Sequence, residues 1–333
     1  MKDALKFISE DLQRKVKKEK QPEWINPMLA KLHKEIFSDE SWIYERKLDG
    51  ERVLVFKKGK NVNLMSRNRK NRHNTYPEIV EALKKQTLEN FIIDGEIVAF
   101  QGRHTSFAEL QKRMHLKNSV EILNHKTKVF FYAFDIIHME DHNVSGLPQI
   151  ERKKLLEKVI GFKDPIRYSQ HRLKDGAAFY KEACAEEWEG LIAKKMDSSY
   201  TFGRSANWLK LKCINQQELV IGGFTKPAGK RVGFGALLLG YYENGKLQYA
   251  GKVGTGFTDE MLRDLYTRMS DLEIPKSPFE TPGEVKSKNV HWIKPRLVAE
   301  MSFTEWTSSN KLRHPSFLGL RLDKDAKDVI KEM

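Results

Sequence analysis

Short segments that are apolar, or that alternate apolar and polar residues, recur along the chain between residues 42 and 213. This pattern predicts β-strands, which we place at WIYERKL (42–48), RVLVFKK (52–58), NVNLMSR (61–67), GLIAKK (190–195) and WLKLKC (208–213). FIIDGEIVAF (91–100) and VFFYAFDII (129–137) are almost wholly apolar, which is typical of strands covered on both faces. Asp94-Gly95 interrupts the first of these two, and Lys58-Gly59-Lys60-Asn61 predicts a hairpin turn.

Between these strands, four segments carry apolar residues at helical spacing: 76–85, 106–114, 149–160 and 175–187. Pro77 suits the first turn of a helix, and Thr105 or Ser106 suits an N-cap. The mixture predicts an α+β domain built on mixed or antiparallel sheets.

After Cys213 the pattern changes to closely spaced strands with one predicted helix at 259–269. Glu243-Asn244-Gly245-Lys246 is a strong hairpin turn. About five strands with a single helix suit a small β-barrel such as an oligonucleotide-binding (OB) fold. We therefore divide the chain into a charged amino-terminal segment (1–23), an α+β domain (24–214) and a barrel domain (215–333).

Charge adds a candidate partner to this picture. The chain has 59 Lys and Arg residues against 45 Asp and Glu residues, a formal net charge of +14. This surplus favours a polyanion such as nucleic acid. No apolar run is long enough to span a membrane, and the amino terminus lacks a secretory signal, so we expect a cytoplasmic protein.

The two cysteines, Cys184 and Cys213, are far apart in the sequence and form no C-x-x-C pair. We expect them to be reduced, buried thiols, and we expect neither a disulfide nor a structural zinc site.

The first candidate for chemistry is Lys47-x-Asp49-Gly50-x-Arg52, directly after a predicted strand. A lysine attacks phosphorus only as the free amine, so its pKa must fall from about 10.4 towards neutrality. Asp49-Gly50 supplies a turn that aims the lysine, and Arg52 supplies a fork for hydroxyl or phosphate oxygens. The ordinary alternative is a basic strand end followed by a turn.

Four further motifs follow in order. Asp94-Gly95-Glu96 places two carboxylates in an apolar strand, where they need a metal, hydroxyl or cation unless they form a solvated bulge. Phe134-Asp135 offers an aromatic ring for stacking on a purine, although core packing is the commoner fate. Glu189-Gly190 opens another strand. Lys210 and Lys212 point to one face, where a phosphate fits between them, or they belong to an exposed strand.

Together, these five motifs resemble, in order and spacing, those of the covalent nucleotidyltransferases, which include ATP-dependent DNA ligases, RNA ligases and mRNA capping enzymes. Longer segments are similar to the ligase domain of bacterial end-joining DNA ligases: PMLA (27–30), GFGALLLGYY (233–242), YAGKVGTGF (249–257), VAEMSFTEWT (298–307) and LRHPSFLGLRLDK (312–324). The resemblance extends from about residue 24 to residue 324.

The resemblance implies an ATP-dependent DNA ligase with a nucleotidyltransferase domain and an OB-fold domain. Lys47 would take AMP from ATP, pass it to the 5′-phosphate of a break, and allow the 3′-hydroxyl to displace it. The implied catalytic residues are Lys47, Asp49, Arg52, Lys210, Lys212, Arg321 and Lys324. The implied nucleotide-binding residues are Glu45, Lys47, Arg52, Arg67, Glu96, Phe134, Glu189, Lys210 and Lys212.

In this scheme, Glu96 would hold the ribose hydroxyls, Phe134 would stack on adenine, and the main chain around Glu45 would contact the amino edge of the base. Asp49, Glu96 and Glu189 would bind Mg²⁺ or Mn²⁺. Arg321-x-Asp323-Lys324 would orient pyrophosphate during self-adenylation.

The implied partners are duplex DNA with nicks or breaks and a Ku-like end-binding protein, with no membrane partner and a monomeric chain. Two other functions remain open at this stage. An RNA ligase or capping enzyme uses the same lysine chemistry, and a non-catalytic nucleic-acid-binding module would also account for the barrel and the charge.

Overall fold

The computed structural model describes residues 4–114, 116, 119–229, 231–285 and 289–332. The chain divides into two compact units, Met1–Cys213 and Ile214–Met333. Within the described residues, no helix is both long and apolar enough to cross a lipid bilayer.

In the part of the first unit that the structure describes, there are thirteen strands and six α-helices. The strands are β1 (Lys17–Lys18), β2 (Leu29–Leu32), β3 (Trp42–Arg46), β4 (Glu51–Lys58), β5 (Asn61–Ser66), β6 (Asn90–Gln101), β7 (His104–Thr105), β8 (Val129–Met139), β9 (His142–Asn143), β10 (Ile166–Tyr168), β11 (His171–Leu173), β12 (Gly190–Lys195) and β13 (Arg204–Lys212). The helices are α1 (Glu10–Gln13), α2 (Pro77–Lys84), α3 (Phe107–Met114), α4 (Ser119–Asn124), α5 (Gln149–Val159) and α6 (Gly176–Ala185), and a 3₁₀ turn spans Ala4–Phe7.

These strands form two sheets. The larger has eight strands in the order β1-β9-β8-β6-β4-β5, with β10 on β8 and β7 on β6. The smaller has five strands in the order β11-β3-β12-β13-β2. All pairs are antiparallel except β10 with β8 and β13 with β2, so the mixed sheets predicted from sequence are confirmed.

Alternation along β4 shows how the two sheets pack. Val53 and Val55 belong to the core that includes apolar residues of α2 and α5, whereas Leu54 and Phe56 pack with Trp208 of the smaller sheet. Because successive strand residues point to opposite faces, one strand serves both cores. We call the face of the larger sheet that carries Leu54 and Phe56 its inner face. Other side chains on this face therefore lie between the two sheets.

The described residues of the second unit form eight strands and one α-helix. They are β14 (Asn215–Thr225), β15 (Leu237–Glu243), β16 (Lys246–Val253), α7 (Asp259–Ser270), β17 (Glu273–Ile274), β18 (Val290–Phe303), β19 (Glu305–Trp306), β20 (Leu312–Arg313) and β21 (Ser316–Leu320), with 3₁₀ turns at Pro282–Glu284 and Ala326–Asp328. The main sheet follows the order β16-β15-β14-β18-β17, with β21 on β18. Pairing among the described strands leaves this sheet open, so the predicted barrel is corrected to an unclosed one.

Most elements predicted from sequence are present. The five predicted helices are confirmed within two residues at each end. The turn between β15 and β16 has positive φ at Asn244 (51°) and Gly245 (76°), as a two-residue hairpin needs. Strand β6 is not broken at Asp94-Gly95; its register against β8 shifts there, which is a bulge.

The amino-terminal segment joins the first unit. Lys17–Lys18 pairs with His142–Asn143 at the edge of the larger sheet, and Ile8 is buried in its core. Residues 1–3 of this segment lie outside the described residues.

The expectation of two reduced thiols is wrong. Cys184 at the end of α6 and Cys213 after β13 form a disulfide, with their Cα atoms 5.3 Å apart. Helix α6 packs on the outer face of the smaller sheet through Phe179, near Leu211 of β13. This packing brings together two cysteines that are 29 residues apart in the sequence, within the range that a disulfide spans.

Candidate active site

Lys47 follows the last residue of β3 and continues its hydrogen bonding. The Lys47 N–H donates to the Gly190 carbonyl oxygen (2.8 Å). The side chain is 21% exposed, and its ammonium group contacts the carboxylate of Glu189, which is 6% exposed. The structure therefore pairs the predicted nucleophile with a predicted metal ligand.

The register of the smaller sheet brings a second lysine to the same place. Gly190 lies opposite Lys212 on β13, so Lys47, Gly190 and Lys212 form one row across three strands. Residues opposite one another share a face. Gly190 has φ of +142°, and a Cβ there would lie 2.0 Å from the Leu211 carbonyl oxygen. Only glycine therefore fits between the two lysines in this row.

The next row consists of Glu45, Ile192 and Lys210. Lys210 is half-buried, as is Lys212, and both face the same side as Lys47. Three lysines on one face concentrate positive charge that suits a phosphate group.

Asp49 fixes the turn that follows the lysine. Its N–H donates to the Thr105 hydroxyl oxygen (3.1 Å), and its carboxylate accepts from the N–H of Phe107 (3.0 Å), the first residue of α3. A carboxylate at a helix amino terminus is favourable. This contact anchors the catalytic turn to α3, a role that sequence reasoning did not assign to Asp49.

Arg52 lies on the inner face of the larger sheet, opposite Glu96. Its guanidinium group makes two hydrogen bonds to Asp94 (2.8 and 2.5 Å), and Asp94 also accepts from the Tyr200 hydroxyl (2.6 Å). Burial alone would lower the pKa of Arg52, but the charge of Asp94 outweighs it and raises that pKa. The buried Asp94 therefore orients Arg52. Its position in an apolar strand was the signal for such a role.

Phe134 is half-buried beside Arg52. The Arg52 guanidinium lies 5.1 Å and the Lys194 ammonium 4.5 Å from its ring centroid, both within cation–π range. Trp208 packs against it nearly edge-on, with centroids 5.9 Å apart. Asp135, the next residue, is fully buried and pairs with Arg152 (2.8 Å). The two halves of this motif thus point to opposite faces of β8, Phe134 towards Arg52 and Trp208 and Asp135 towards Arg152.

Glu45 is the centre of a buried charge cluster. Its carboxylate lies 3.0 Å from the ammonium groups of both Lys153 and Lys194, and it accepts from the Ser169 hydroxyl (2.9 Å). Burial by itself raises the pKa of Glu45, but the two lysines more than offset this and lower it. Burial also lowers the pKa of Lys153 to about 8. Protein groups therefore hold the Glu45 side chain.

A cavity of about 240 Å³ is lined by Arg46 and Leu48, the sequence neighbours of Lys47, but Lys47 itself does not line it. Its walls include the residues on either side of Lys47 and a group of aromatic and polar side chains that sequence reasoning did not single out: Arg46, Leu48, Tyr132, Tyr168, Ser169, Gln170, His171, Arg172, Phe179 and Trp188. The Arg46 guanidinium packs 4.4 Å over the Trp188 ring. Arg67, just after β5, is half-buried and does not line this cavity.

The predicted metal ligands do not form a preassembled cluster. Across residues 4–114, 116, 119–229, 231–285 and 289–332, no three His, Cys, Asp or Glu side chains are grouped to hold an ion. Asp49 caps α3, Glu96 faces Arg52 and Glu189 contacts Lys47. A magnesium ion commonly needs only one or two carboxylates when phosphate oxygens complete its shell, and Glu189 fits that requirement.

Arg321 and Lys324 lie in the second unit, where carboxylates surround them. Arg321 forks onto Asp323 (3.0 and 2.9 Å) and contacts Glu300 (2.8 Å). Lys324 lies 3.0 Å from Glu218. Although burial lowers the pKa of Arg321, these acidic neighbours raise it well above its ordinary value. Arg321 is thus locked in place.

Comparison with known proteins identifies the family. A profile described as "ATP dependent DNA ligase domain" matches residues 27–212, and one described as "ATP dependent DNA ligase C terminal region" matches residues 230–324. The chain belongs to the ATP-dependent DNA ligase family. Within this family, the first unit is the nucleotidyltransferase domain and the second is the OB-fold domain.

Individual ligases support this assignment. The multifunctional non-homologous end joining protein LigD of Pseudomonas aeruginosa is 35% identical over 319 residues, which is 93% of this chain and 37% of that protein. A DNA ligase of Methanoculleus marisnigri is 31% identical over 295 residues, covering 86% of this chain and 52% of that one. The chain thus spans from about a third to about half of these relatives.

A solved structure shares the same fold. Mycobacterial DNA ligase D, complexed with ATP and MES, is 33% identical, with a TM-score of 0.65 over 92% of this chain and 98% of that one. The comparisons favour neither an RNA ligase, nor a capping enzyme, nor a non-catalytic binding module.

Proposed function

We propose that this protein is an ATP-dependent DNA ligase that seals breaks between a 3′-hydroxyl and a 5′-phosphate in duplex DNA, and that it acts in break repair. The observation that carries the proposal is the Lys47–Gly190–Lys212 row with Glu189 against Lys47, within a chain of the ligase family. A binding module has no need for this arrangement.

The reaction begins when Lys47 Nζ attacks the α-phosphorus of ATP. The N–P bond forms, the bond from the α-phosphorus to the bridging oxygen breaks, and pyrophosphate leaves. AMP then passes to the 5′-phosphate of the break, and the 3′-hydroxyl finally displaces AMP. Each step is an in-line displacement, so alignment and charge neutralisation carry most of the catalysis.

The contact with Glu189 bears on the protonation state of the Lys47 amine. Its carboxylate stabilises the ammonium form, whereas attack requires the free amine. A bound Mg²⁺ or Mn²⁺ would supply positive charge that neutralises Glu189 and the phosphate oxygens. We assign this ion to Glu189, with Asp49 and Glu96 as further candidate ligands.

Other residues receive roles from their positions. Lys210 and Lys212 bind the α-phosphate and stabilise its transition state, since they face the same side as Lys47. Glu96 holds the ribose hydroxyls, and Arg52, which lies opposite it, contacts the ribose or the nick phosphate. Phe134 offers its ring to adenine.

The main chain at Glu45 reads the amino edge of the base, because the side chain is already held by lysines. Arg67 contacts the nucleotide or the nick from the end of β5.

Lys324 and Arg321 act during self-adenylation by orienting pyrophosphate. Lys324 has one paired carboxylate, while Arg321 is locked among several, so Arg321 positions the segment and Lys324 reaches the substrate. We expect Lys324→Ala to slow self-adenylation by about 10²-fold. Sealing of a pre-adenylated nick should change little. Equal loss of both steps would contradict this role.

We further propose that the protein acts as a monomer in the cytoplasm and with a Ku-like end-binding partner. LigD of Pseudomonas aeruginosa carries end joining in its name, and the same assignment for this chain rests on that likeness. Nick-sealing and end-joining assays, each run with and without the end-binding protein, test the partnership, since only end joining should improve.

The decisive experiment incubates the protein with radiolabelled ATP and Mg²⁺ or Mn²⁺, compares it with Lys47→Ala, and then adds nicked duplex DNA. Covalent label that the variant lacks, and that is transferred as the nick closes, is the expected result. Label from GTP instead of ATP would indicate capping chemistry. No label on folded protein shown to be free of AMP would overturn the proposal.

A further inference from the structure

The disulfide lies beside the catalytic row. Cys213 directly follows Lys212 and is the last residue of the first unit. Its N–H donates to the carbonyl oxygen of Glu189 (3.1 Å), the residue whose carboxylate contacts Lys47. The disulfide therefore joins α6 to Cys213, which is covalently attached to Lys212 and hydrogen-bonded to the main chain of Glu189.

A second contact reinforces the same attachment. The Tyr180 hydroxyl of α6 donates to the Lys212 carbonyl oxygen (2.8 Å). Cys184 is on the same helix, four residues later. Two bonds from α6 thus hold the end of β13. One is the disulfide, and the other is the hydrogen bond from Tyr180, which does not require the disulfide.

Both cysteines are half-buried, and they are the only cysteines in the chain. These residues are partly accessible to small thiols, and any thiol–disulfide exchange within the protein takes place at this pair. The disulfide therefore lies at the end of the first unit and anchors the end of β13, the strand that carries Lys210 and Lys212.

We propose that Cys184 and Cys213 form a reversible redox site whose substrate class is low-molecular-weight thiols and disulfides, and that its oxidation state controls the order of the Lys212–Glu189 region. The effect on catalysis rests on the proposed ligase function. The oxidised form holds the site ready for self-adenylation, and the reduced form loosens it.

The exchange balances as follows. A thiolate attacks one protein sulfur, a mixed disulfide forms, and the other cysteine leaves as a thiolate that takes up a proton. A second thiol resolves the mixed disulfide. Two reductant thiols are oxidised to one disulfide while the protein gains two electrons and two protons. Oxidation by a small disulfide such as oxidised glutathione runs the same steps in reverse.

The test compares full-length protein equilibrated with oxidised glutathione or with dithiothreitol. Alkylation with iodoacetamide and mass spectrometry should modify neither cysteine in the first sample and both in the second. Backbone hydrogen exchange in residues 208–215 should increase on reduction. Single-turnover self-adenylation should slow by about three- to tenfold, because loosened alignment is costly.

Two variants sharpen the result. Cys184→Ser with Cys213→Ser should match the reduced wild type under both conditions. Tyr180→Phe keeps both cysteines and should still respond to reductant, which separates the sulfur bond from the hydrogen bond.

Alkylation of both cysteines in the oxidised sample would overturn the proposal, as would hydrogen exchange or adenylation that does not change on reduction. If hydrogen exchange depends on the redox state while neither state self-adenylates, the proposed ligase function fails. The redox site then stands, and only its effect on catalysis is lost.

Discussion

Two clusters of lysine and glutamate lie two residues apart along the same stretch of chain, yet only one is reachable. Lys47, paired with Glu189, is 21% exposed. Glu45 pairs with Lys153 and Lys194, whose side chains are 0% and 2% exposed. The charges are alike, so access to a substrate distinguishes the nucleophile from the buried lysines.

The difference arises from position on the strand. Glu45 lies within β3, where α5 supplies Lys153 and the neighbouring strand β12 supplies Lys194. Lys47 lies past the end of β3, next to Gly190, where the neighbouring backbone leaves no room for a side chain. A buried pair needs all its partners present, whereas a reactive lysine must be able to exchange its partner.

The largest effect in this comparison should come from Glu189→Gln. The amide keeps the shape but removes the charge that contacts Lys47 and that we assign to the metal. We expect single-turnover self-adenylation to fall by about 10²-fold. Urea denaturation of the same samples should show that the variant is folded under the conditions of the rate assay.

Glu81→Gln is the matched control, because Glu81 makes an exposed pair with Lys84 on α2. It should leave the adenylation rate unchanged. A Glu189→Gln rate close to that of the wild type would show that the contact with Lys47 has no catalytic role.

A smaller rate effect and a larger stability effect should come from Lys153→Met. Removing one of two ammonium groups from Glu45 should lower the unfolding free energy by about 2 kcal/mol near neutral pH. Self-adenylation at saturating ATP should change by less than about threefold. Urea denaturation and a rate assay on the same samples measure both.

The pH dependence gives this variant a distinct signature. Burial lowers the pKa of Lys153 to about 8, against about 10.4 in an unfolded chain. Between these values the unfolded state binds more protons, so this group makes the wild type more stable as pH rises. Lys153→Met should lack that rise.

Lys154→Met is its control, since the neighbouring Lys154 forms an exposed pair with Glu151. Lys154→Met should keep the wild-type pH dependence. An unchanged slope in Lys153→Met would mean that another group titrates in this range.

Sequence patterns were sufficient for much of the fold. Helical spacing located α2, α3, α5, α6 and α7, and Asn244-Gly245 located a hairpin. They were insufficient where distant segments meet. The pattern gave no sign that the second sheet stays open or that Cys184 meets Cys213, since both depend on contacts between elements.

The candidate site divides in the same way. Its residue types and their order, from Lys47 to Lys212, were readable as motifs. The buried partners were not: Tyr200 reaches Asp94 across 106 residues of sequence, and Lys194 reaches Glu45 across 149. The attachment of Asp49 to α3 is also non-local, so no sequence motif indicated it.

The sequence by itself therefore determined the elements, the order of the motifs and the family resemblance, because helical and strand periodicities and short motifs are properties of neighbouring residues. Only the tertiary structure decided the row of Lys47, Gly190 and Lys212, the burial of Lys153 and the sulfur bond. Strand register and burial depend on contacts between segments far apart in the chain, where small differences in packing select one arrangement.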